Sequence, residues 1–162
     1  MFAPEIEALT SKYGRKGVLI DSNLLLLLVV GVYRRDRIST FKRTAKFTKN
    51  DFSLLNNLMK RFERVLTTPN ILTEVDNLGR QLSLREHDAF ALALKKTAVT
   101  FIEEHRHFET AAKLREFSRY GLSDTVSFLL TNDCLLLSDD LPLYTAVTRA
   151  GRDAINFNHL RL

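Results

Sequence analysis

The stretch VLIDSNLLLLLVVGV, residues 18–32, constrains the fold most strongly, because a long apolar run contains a polar interruption that begins at Asp21. The uninterrupted part, Leu24 to Val32, has nine residues, whereas a membrane-spanning helix needs about twenty. Extending the run toward its amino end brings in Asp21, which is costly in lipid. The pattern instead predicts a buried strand over Val18 to Ile20, a polar turn, and a mostly buried helix over Leu24 to Tyr33.

Composition and charge limit the class of protein. With 162 residues, 45% hydrophobic and 27% charged, the chain is long enough for one globular domain with a real core. A net charge of +5 favours polyanionic partners but does not determine the fold. Cys134, the single cysteine, excludes an intrachain disulfide and is typical of a small core residue. The amino end has no signal-peptide pattern, so we expect a soluble, cytoplasmic protein without membrane contacts.

The rest of the chain alternates between helical and strand patterns, with Gly or Pro at several of the expected boundaries. The expected helices run from Asn50 or Asp51 to Phe62, Pro69 to Gly79, Ser83 to about Glu104, Glu109 to Phe117 with a stop at Gly121, Ser123 to Thr131, and Leu141 to a stop at Gly151. Short strands are expected within ERVLTTP (63–69), over Cys134 to Leu137, and in AINFN (154–158).

This alternation predicts an α/β fold with three layers, in which helices cover both faces of a central parallel sheet. We interpret residues 1–162 as one domain, with 83–120 as a helical insertion or extension within it. Ligands of such sheets bind beyond the carboxyl ends of the strands. Asp21 ends the first strand, and Asp139 and Asp140 end the third, so these carboxylates are expected at one edge of the sheet.

Five acids lie next to apolar segments of the sequence: Asp21, Glu74, Asp124, Asp139 and Asp140. Each has an ordinary explanation, because Asp21 could cap a helix, Glu74 and Asp124 could offset a helix dipole, and the adjacent pair could form a turn. Clustered carboxylates, however, repel and raise one another's pKa values, and a divalent cation removes that conflict. Oxygen ligands without Cys or His suit Mg²⁺ or Mn²⁺ better than zinc. Such ions activate water and stabilise charge that develops on a phosphate.

Four segments resemble, in order, the four acidic motifs of PIN-domain ribonucleases: VLIDSNLLL, TPNILTEV, GLSDTVSFLL and LLLSDDLPLYTAVTRAGRDAINF. The resemblance covers nearly the whole chain from Gly17 to Phe157. It implies a PIN-like parallel sheet between helices, RNA cleavage with Mg²⁺ or Mn²⁺, and a set of site residues. The implied catalytic and metal-binding acids are Asp21, Glu74, Asp124 and Asp140, with Asp139 as a further candidate metal ligand and with Asn23 and Ser138 orienting the ligands and the water.

Two features depart from the family pattern. Extra length lies around 83–120, and Ser22 follows the first Asp where these motifs often have Val or Thr. The fourth motif usually reads Thr or Ser, any residue, Asp, which aligns the acid with Asp140 and leaves Asp139 as its neighbour. Neither departure removes an acid, so the expected chemistry is kept and the biological role is left open.

A basic segment, RRDRISTFKRTAKFTK (34–49), follows the helix that leaves Asp21 and can therefore reach the same edge of the sheet. It holds seven Lys and Arg residues against one Asp. As an RNA-binding surface it would contact phosphates, with Phe41 or Phe47 stacking on a base. Alternatively, it is a solvated loop whose aromatic side chains lie in the core. The predicted RNA contacts are Arg34, Arg35, Lys42 and Arg43.

The sequence thus predicts a Mg²⁺- or Mn²⁺-dependent endoribonuclease, for which the resemblance implies a role as a toxin, in defence or in RNA processing. Expected partners are RNA, a protein antitoxin or other inhibitor, and a second copy in a homodimer. One alternative is a PIN-like RNA-binding or scaffold domain with a degenerate metal site. Another is a phosphatase of the haloacid dehalogenase type. Its mechanism needs a second Asp where Asn23 stands, and Asn cannot donate a catalytic proton.

Overall fold

A five-stranded, all-parallel sheet forms the centre of the protein in the computed structural model, which describes residues 2–161. The strands are β1 (Val18–Ile20), β2 (Val65–Thr67), β3 (Ile102–Glu103), β4 (Leu135–Ser138) and β5 (Ala154–Asn156). Their order in the sheet is β3-β2-β1-β4-β5, with Leu19 level with Leu66 on one side and with Leu136 on the other. The predicted α/β fold with a parallel sheet is therefore confirmed.

Helices make up most of the remaining chain. They are α1 (Pro4–Tyr13), α2 (Ser22–Tyr33), α3 (Lys49–Met59), α4 (Pro69–Gly79), α5 (His87–Ala98), α6 (Phe108–Ala112), α7 (Arg115–Leu130) and α8 (Leu141–Arg149), with 3₁₀ turns at Arg35–Arg37, Leu84–Glu86 and Phe157–Leu160. Across the described part of the chain, no helix combines the length and the apolar character that crossing a bilayer requires.

These helices lie on both faces of the sheet. Because crossovers between parallel strands are right-handed in nearly all proteins, the helices between β1 and β3 lie on one face and those between β3 and β5 on the other. On the first face α2 packs against α3, α4 and α5, and on the second face α7 packs against α6 and α8. Helix α2 is buried along Leu24–Val30, as predicted, and Cys134 lies in the core.

The two neighbouring strands β1 and β4 send the chain in opposite directions. After β1 the chain continues to β2, and after β4 it continues to β5 on the other side. In open parallel sheets, such a divergence leaves a crevice at the carboxyl ends of the strands, where ligands bind. Asp21 follows β1, and Asp139 and Asp140 follow β4, so the predicted position of these three acids at one edge is confirmed.

The segment from Ser83 to Glu104 differs from its prediction, because it is not one helix. After α5 ends at Ala98, the chain forms β3, in which Ile102 pairs with Leu66 of β2. The backbone N–H of Glu104 also donates to a carbonyl of β2 at 2.9 Å. Pairing with a strand distant in sequence overrides the local helical pattern. Residues 83–120 therefore supply an edge strand as well as helices.

One helix start is set by a residue other than those predicted. Helix α3 is capped by Thr48, whose side chain accepts the backbone N–H of Asp51 at 3.2 Å. The Asp51 carboxylate accepts the backbone N–H of Thr48 at 2.7 Å in return. This reciprocal capping box fixes the start of α3, so the prediction that Asn50 or Asp51 is the cap is wrong.

The predicted helix from Glu109 to Phe117 is divided between α6 and α7. Gly121 then kinks α7, with φ 81° and ψ 179°, a left-handed conformation that glycine adopts without strain. Ser123 was expected to cap the following helix, but it lies inside α7, two residues after the kink. Its hydroxyl is free to contact another element, and it donates toward Glu74 at 3.4 Å.

Candidate functional site

Asp21 lies at the junction of β1 and α2 and is buried, with 7% of its surface exposed. Its Oδ1 accepts the backbone N–H of Leu24 at 2.9 Å, which caps α2. Its Oδ2 accepts the Ser138 hydroxyl and, at 2.9 Å, the backbone N–H of Asp139. Asp21 therefore caps α2 and also connects to the end of β4, because its two oxygens accept hydrogen bonds from different neighbours.

Asp139, directly after β4, is enclosed and already paired. Its side chain is 1% exposed, and its Oδ1 accepts a hydrogen bond from Nδ2 of Asn23 at 3.0 Å. The Lys46 ammonium forms an ion pair with Oδ2, although no hydrogen bond reaches that oxygen from the described residues. The Lys46 ammonium thus already offsets the charge of this carboxylate, and the Asn23 amide donates a hydrogen bond to it.

Asp140, the next residue, is half-buried and less constrained. Its Oδ1 accepts the backbone N–H of Leu143 at 2.8 Å and caps α8. Its own backbone N–H donates to the Ser138 hydroxyl oxygen at 2.9 Å. Within residues 2–161 the Oδ2 of Asp140 receives no hydrogen bond. Asp140 therefore keeps one carboxylate oxygen open for a ligand, in contrast to Asp139.

Glu74 and Asp124 reach the same region from helices α4 and α7. Glu74 is exposed, and its Oε2 accepts the Ser22 hydroxyl at 2.6 Å and the Ser123 hydroxyl at 3.4 Å. Asp124 follows Ser123 and is half-buried. The polar residue Ser22, which departs from the resembled motif, thus connects the start of α2 to Glu74.

Burial and mutual repulsion raise the pKa values of two of these acids. The pKa of Asp124 rises from 3.8 to about 6, because of burial first and then of the charges of Asp140 and Glu74. Burial, followed by the charge of Asp139, also holds the pKa of Asp21 well above its ordinary value. The five acids are called here the acidic cluster. They form two neighbouring groups: Asp21 with Asp139, and Asp124 with Glu74 and Asp140. Negative charge in both groups is incompletely balanced.

Lys46 belongs to the basic segment but was not among its predicted functional residues. Its backbone carbonyl accepts a hydrogen bond from Arg161, whose Nε also donates to Asp51 at 3.0 Å. The Arg161 guanidinium lies 5.1 Å from the ring centre of Phe47. These contacts fasten the basic segment to the carboxyl-terminal turn and hold Lys46 against Asp139. The basic run was the only sequence signal for Lys46, and Arg161 had none.

The predicted RNA-binding residues are exposed on the same segment, but its aromatic side chains are not. Phe41 and Phe47 are 4% and 1% exposed, so the interpretation in which one of them stacks on a base is wrong. The basic side chains predicted to contact RNA all lie at the surface: Arg34, Arg35, Lys42 and Arg43. Two of them have a partner within the protein, since Arg35 lies over the ring of Phe52 and Arg43 donates to Gln81 at 2.6 Å.

No ready-made metal-binding group of three acidic, histidine or cysteine side chains is present between residues 2 and 161. The donor chemistry nevertheless fits a hard divalent cation, because Glu74, Asp124 and Asp140 offer only oxygen atoms, and the charges of Asp140 and Glu74 disfavour ionisation of Asp124. Asp139 fits less well as a ligand, since Lys46 already offsets its charge. The side chains that could hold Mg²⁺ or Mn²⁺ are therefore Glu74, Asp124 and Asp140, with Asp21 beside them.

Comparisons with known proteins do not identify a family for this chain. No family model matches the sequence, and no curated protein and no solved structure matches the chain. The resemblance to PIN-domain ribonucleases therefore rests on the four sequence motifs alone.

Proposed function

We propose that this chain is a Mg²⁺- or Mn²⁺-dependent endoribonuclease of the PIN class, which cleaves phosphodiester bonds within RNA. The observation that carries the proposal is the set of acids beside the crevice where β1 and β4 diverge, which Glu74 reaches from α4 and Asp124 from α7. Burial first, and then the charges of Asp140 and Glu74, raise the pKa of Asp124. Acids with raised pKa values in a cleft are typical of functional sites. The proposed biological role is that of a toxin or defence nuclease controlled by a protein inhibitor.

In this proposal the acids have separate tasks. Glu74, Asp124 and Asp140 hold the cation, and Asp21 completes the set of charges. When bound, the cation lowers the pKa of water and stabilises negative charge that develops on the phosphate. The Ser138 hydroxyl contacts both Asp21 and the backbone of Asp140, so it fixes the spacing between the ends of β1 and β4.

Asp139 and its partners have a supporting task. Asn23 holds Oδ1 of Asp139, and Lys46 places a positive charge at Oδ2. A phosphate that approaches the acidic cluster would meet this ammonium, which reduces the repulsion between the anionic substrate and the acids. Lys46 thus joins the basic segment to the site of cleavage.

The deciding experiment compares Asp140→Asn with Asp139→Asn in cleavage of a mixed RNA pool, with Mg²⁺, with Mn²⁺ and with EDTA. Asn at position 140 keeps the shape of the side chain and its capping bond to Leu143, but it removes the charge. Cleavage should fall on the order of a thousandfold or more, with little change in the thermal melt. Asp139→Asn should cost less, because Lys46 already offsets that charge.

The control outcomes separate the competing functions. If Asp140→Asn cleaves RNA at nearly the wild-type rate, Asp140 is not the fourth acid. If the wild-type protein binds RNA but never cleaves it with either metal, the alternative of an RNA-binding or scaffold domain with a degenerate metal site replaces the proposal. The pairing of Lys46 with Asp139 is the observation that favours this alternative, because it removes one acid from the set.

The basic segment is expected to bind RNA rather than to perform chemistry. Replacing Arg34, Arg35, Lys42 and Arg43 with Ser should weaken RNA binding and reduce its salt dependence by roughly 0.7 units of slope per lost phosphate contact. Turnover at saturating RNA should change much less, because the acidic cluster is left intact. Binding measured by fluorescence anisotropy over a salt series checks this expectation.

A charge-matched variant provides the control for that series. Four exposed basic residues outside the basic segment are suitable for replacement with Ser: Lys60, Arg85, Lys95 and Lys96. This variant should retain the wild-type salt slope. Equal slopes for both variants would mean that the basic segment is only a solvated loop.

A further inference from the structure

A cleft of about 470 Å³ opens between α7 and α8, away from the basic segment. Its lining includes Arg115, Arg119, Tyr120 and Phe128 from α7 and Arg149 from α8. Three arginines therefore line one concave surface. Neither the sequence motifs nor the function proposed above assigns a task to it.

Two of the three arginines have unbalanced charge. Arg115 forms an ion pair with Glu116 at 3.2 Å, and Glu116 is the acid that lines the cleft. The guanidinium of Arg119 lies 5.3 Å from the ring centre of Tyr120. Within residues 2–161, neither Arg119 nor Arg149 forms an ion pair with a carboxylate. The cleft thus presents two guanidinium groups without a carboxylate partner, and that of Arg119 lies beside an aromatic ring.

The same helices that form the cleft also carry two acids of the acidic cluster. Asp124 lies on α7 beyond the kink at Gly121, and Asp140 caps the start of α8, whose last residue is Arg149. At 1.5 Å per residue, the nine residues of α8 place Arg149 about 13 Å from Asp140 along the helix. A chain of several phosphates could therefore occupy the cleft and the acidic cluster together.

We propose that this arginine cleft binds the phosphate backbone of the RNA strand that is cleaved at the acidic cluster; this inference rests on the function proposed above. Guanidinium groups bind phosphate oxygens through paired hydrogen bonds, and an aromatic ring beside them can stack on a base. The cleft and the basic segment lie on opposite faces of the sheet, since α7 and α8 are on one face and the α2–α3 connection is on the other. The RNA strand passes from the basic segment, across the acids, to the cleft.

The test measures binding of a fluorescent single-stranded RNA of fifteen nucleotides to the full chain in EDTA, over a salt series, so that binding is read without cleavage. Arg119→Gln combined with Arg149→Gln should weaken binding about tenfold and lower the salt slope by roughly 1.4 units, or roughly 0.7 per phosphate contact. Arg149→Gln alone, at an exposed helix end, should lower the slope by roughly 0.7. This single variant keeps the test decisive if the double variant folds poorly.

The matched control is Arg85→Gln combined with Lys96→Gln, which removes the same charge from exposed positions on the opposite face. It should leave the affinity and the slope unchanged. Equal slopes for the cleft variants and the control would overturn the inference. The inference would also be overturned if the cleft bound poly-glutamate while the Gln variants kept the wild-type affinity for RNA. The ligand of the cleft would then be an acidic protein segment.

The outcomes also separate this inference from the proposed function. If the wild-type chain cleaves RNA and the cleft variants bind RNA normally, the nuclease proposal stands and the cleft proposal is rejected. If the chain never cleaves RNA but the cleft variants lose affinity and slope, the cleft binds RNA and the nuclease proposal is rejected.

Discussion

Glu86 and the acidic cluster both place carboxylates among polar neighbours, but the neighbours act in opposite directions. Glu86 accepts hydrogen bonds from Arg37 at 2.7 and 3.1 Å, from Ser83 at 2.7 Å and from Tyr33 at 3.2 Å. The Ser83 hydroxyl first, and then Arg37, lower the pKa of Glu86 from 4.5 to about 2. In the acidic cluster, burial and neighbouring acids raise the pKa values of Asp21 and Asp124.

This difference separates a structural carboxylate from carboxylates whose negative charge the protein leaves incompletely balanced. Glu86 is fully provided with donors from the protein itself, and it joins the 3₁₀ turn before α5 to the basic segment through Arg37. Asp124 is half-buried and has acids as its charged neighbours, so its ionised form is disfavoured. A protein keeps such an arrangement at a site of function more often than for stability.

The largest expected effect concerns the response to metal. Mg²⁺ or Mn²⁺ at a hundredfold excess over the dissociation constant should stabilise the fold by about 2.7 kcal/mol, a rise in melting temperature of roughly 5–10 °C for a chain of this size. Asp21→Asn should reduce this rise, because it removes one charge beside the three acids that would hold the cation. Melts followed by circular dichroism, with and without metal, check the expectation.

The metal-induced shift, rather than the absolute melting temperature, is the decisive quantity for Asp21→Asn. The carboxylate accepts backbone N–H groups at both oxygens, and an amide retains only one acceptor, so the variant also loses a hydrogen bond. An unchanged metal-induced shift would show that Asp21 does not take part in cation binding.

Glu86→Gln should produce the complementary result, with a smaller effect. The variant should lose about 1 kcal/mol of stability, less than the pKa shift alone implies, because the Arg37–Glu86 pair lies close to solvent. That corresponds to a fall of roughly 2–4 °C in melting temperature. The metal-induced rise and the cleavage rate should both be retained. If Glu86→Gln lost the metal-induced rise in melting temperature, Glu86 and the acidic cluster would not differ in their response to metal.

The pH dependence of the stability difference between wild type and Glu86→Gln is the smallest expected effect and the most specific one. Since the folded-state pKa of Glu86 lies below its ordinary value, its contribution is complete above about pH 4.5 and is lost as the pH falls toward about 2. The stability difference between wild type and Glu86→Gln should be constant from pH 7 to 5 and shrink at pH 3. Urea unfolding at these three pH values measures it, and a difference that grows on acidification would contradict the assignment.

The sequence by itself determined the parts of the fold that depend on local burial. The strand at Val18–Ile20, the apolar helix after it and the position of Asp21 could be predicted, because a buried parallel strand requires an apolar run and the polar residue must stand where that run opens. The same reasoning placed Asp139 and Asp140 at the matching edge. Burial alone could not distinguish them. The motif resemblance aligned Asp140, but the physical difference between the two acids depends on Lys46 and on the capping of α8.

Only the tertiary structure decided which distant groups meet. Three contacts join residues far apart in sequence. Strand β3 pairs with β2, Ser123 donates to Glu74, and Arg161 donates to the backbone of the basic segment. Hydrophobic periodicity reports whether a side chain is buried, but it does not report which partner that side chain meets. Only the packing of the helices therefore brings together the charged side chains of the acidic cluster and those of the arginine cleft.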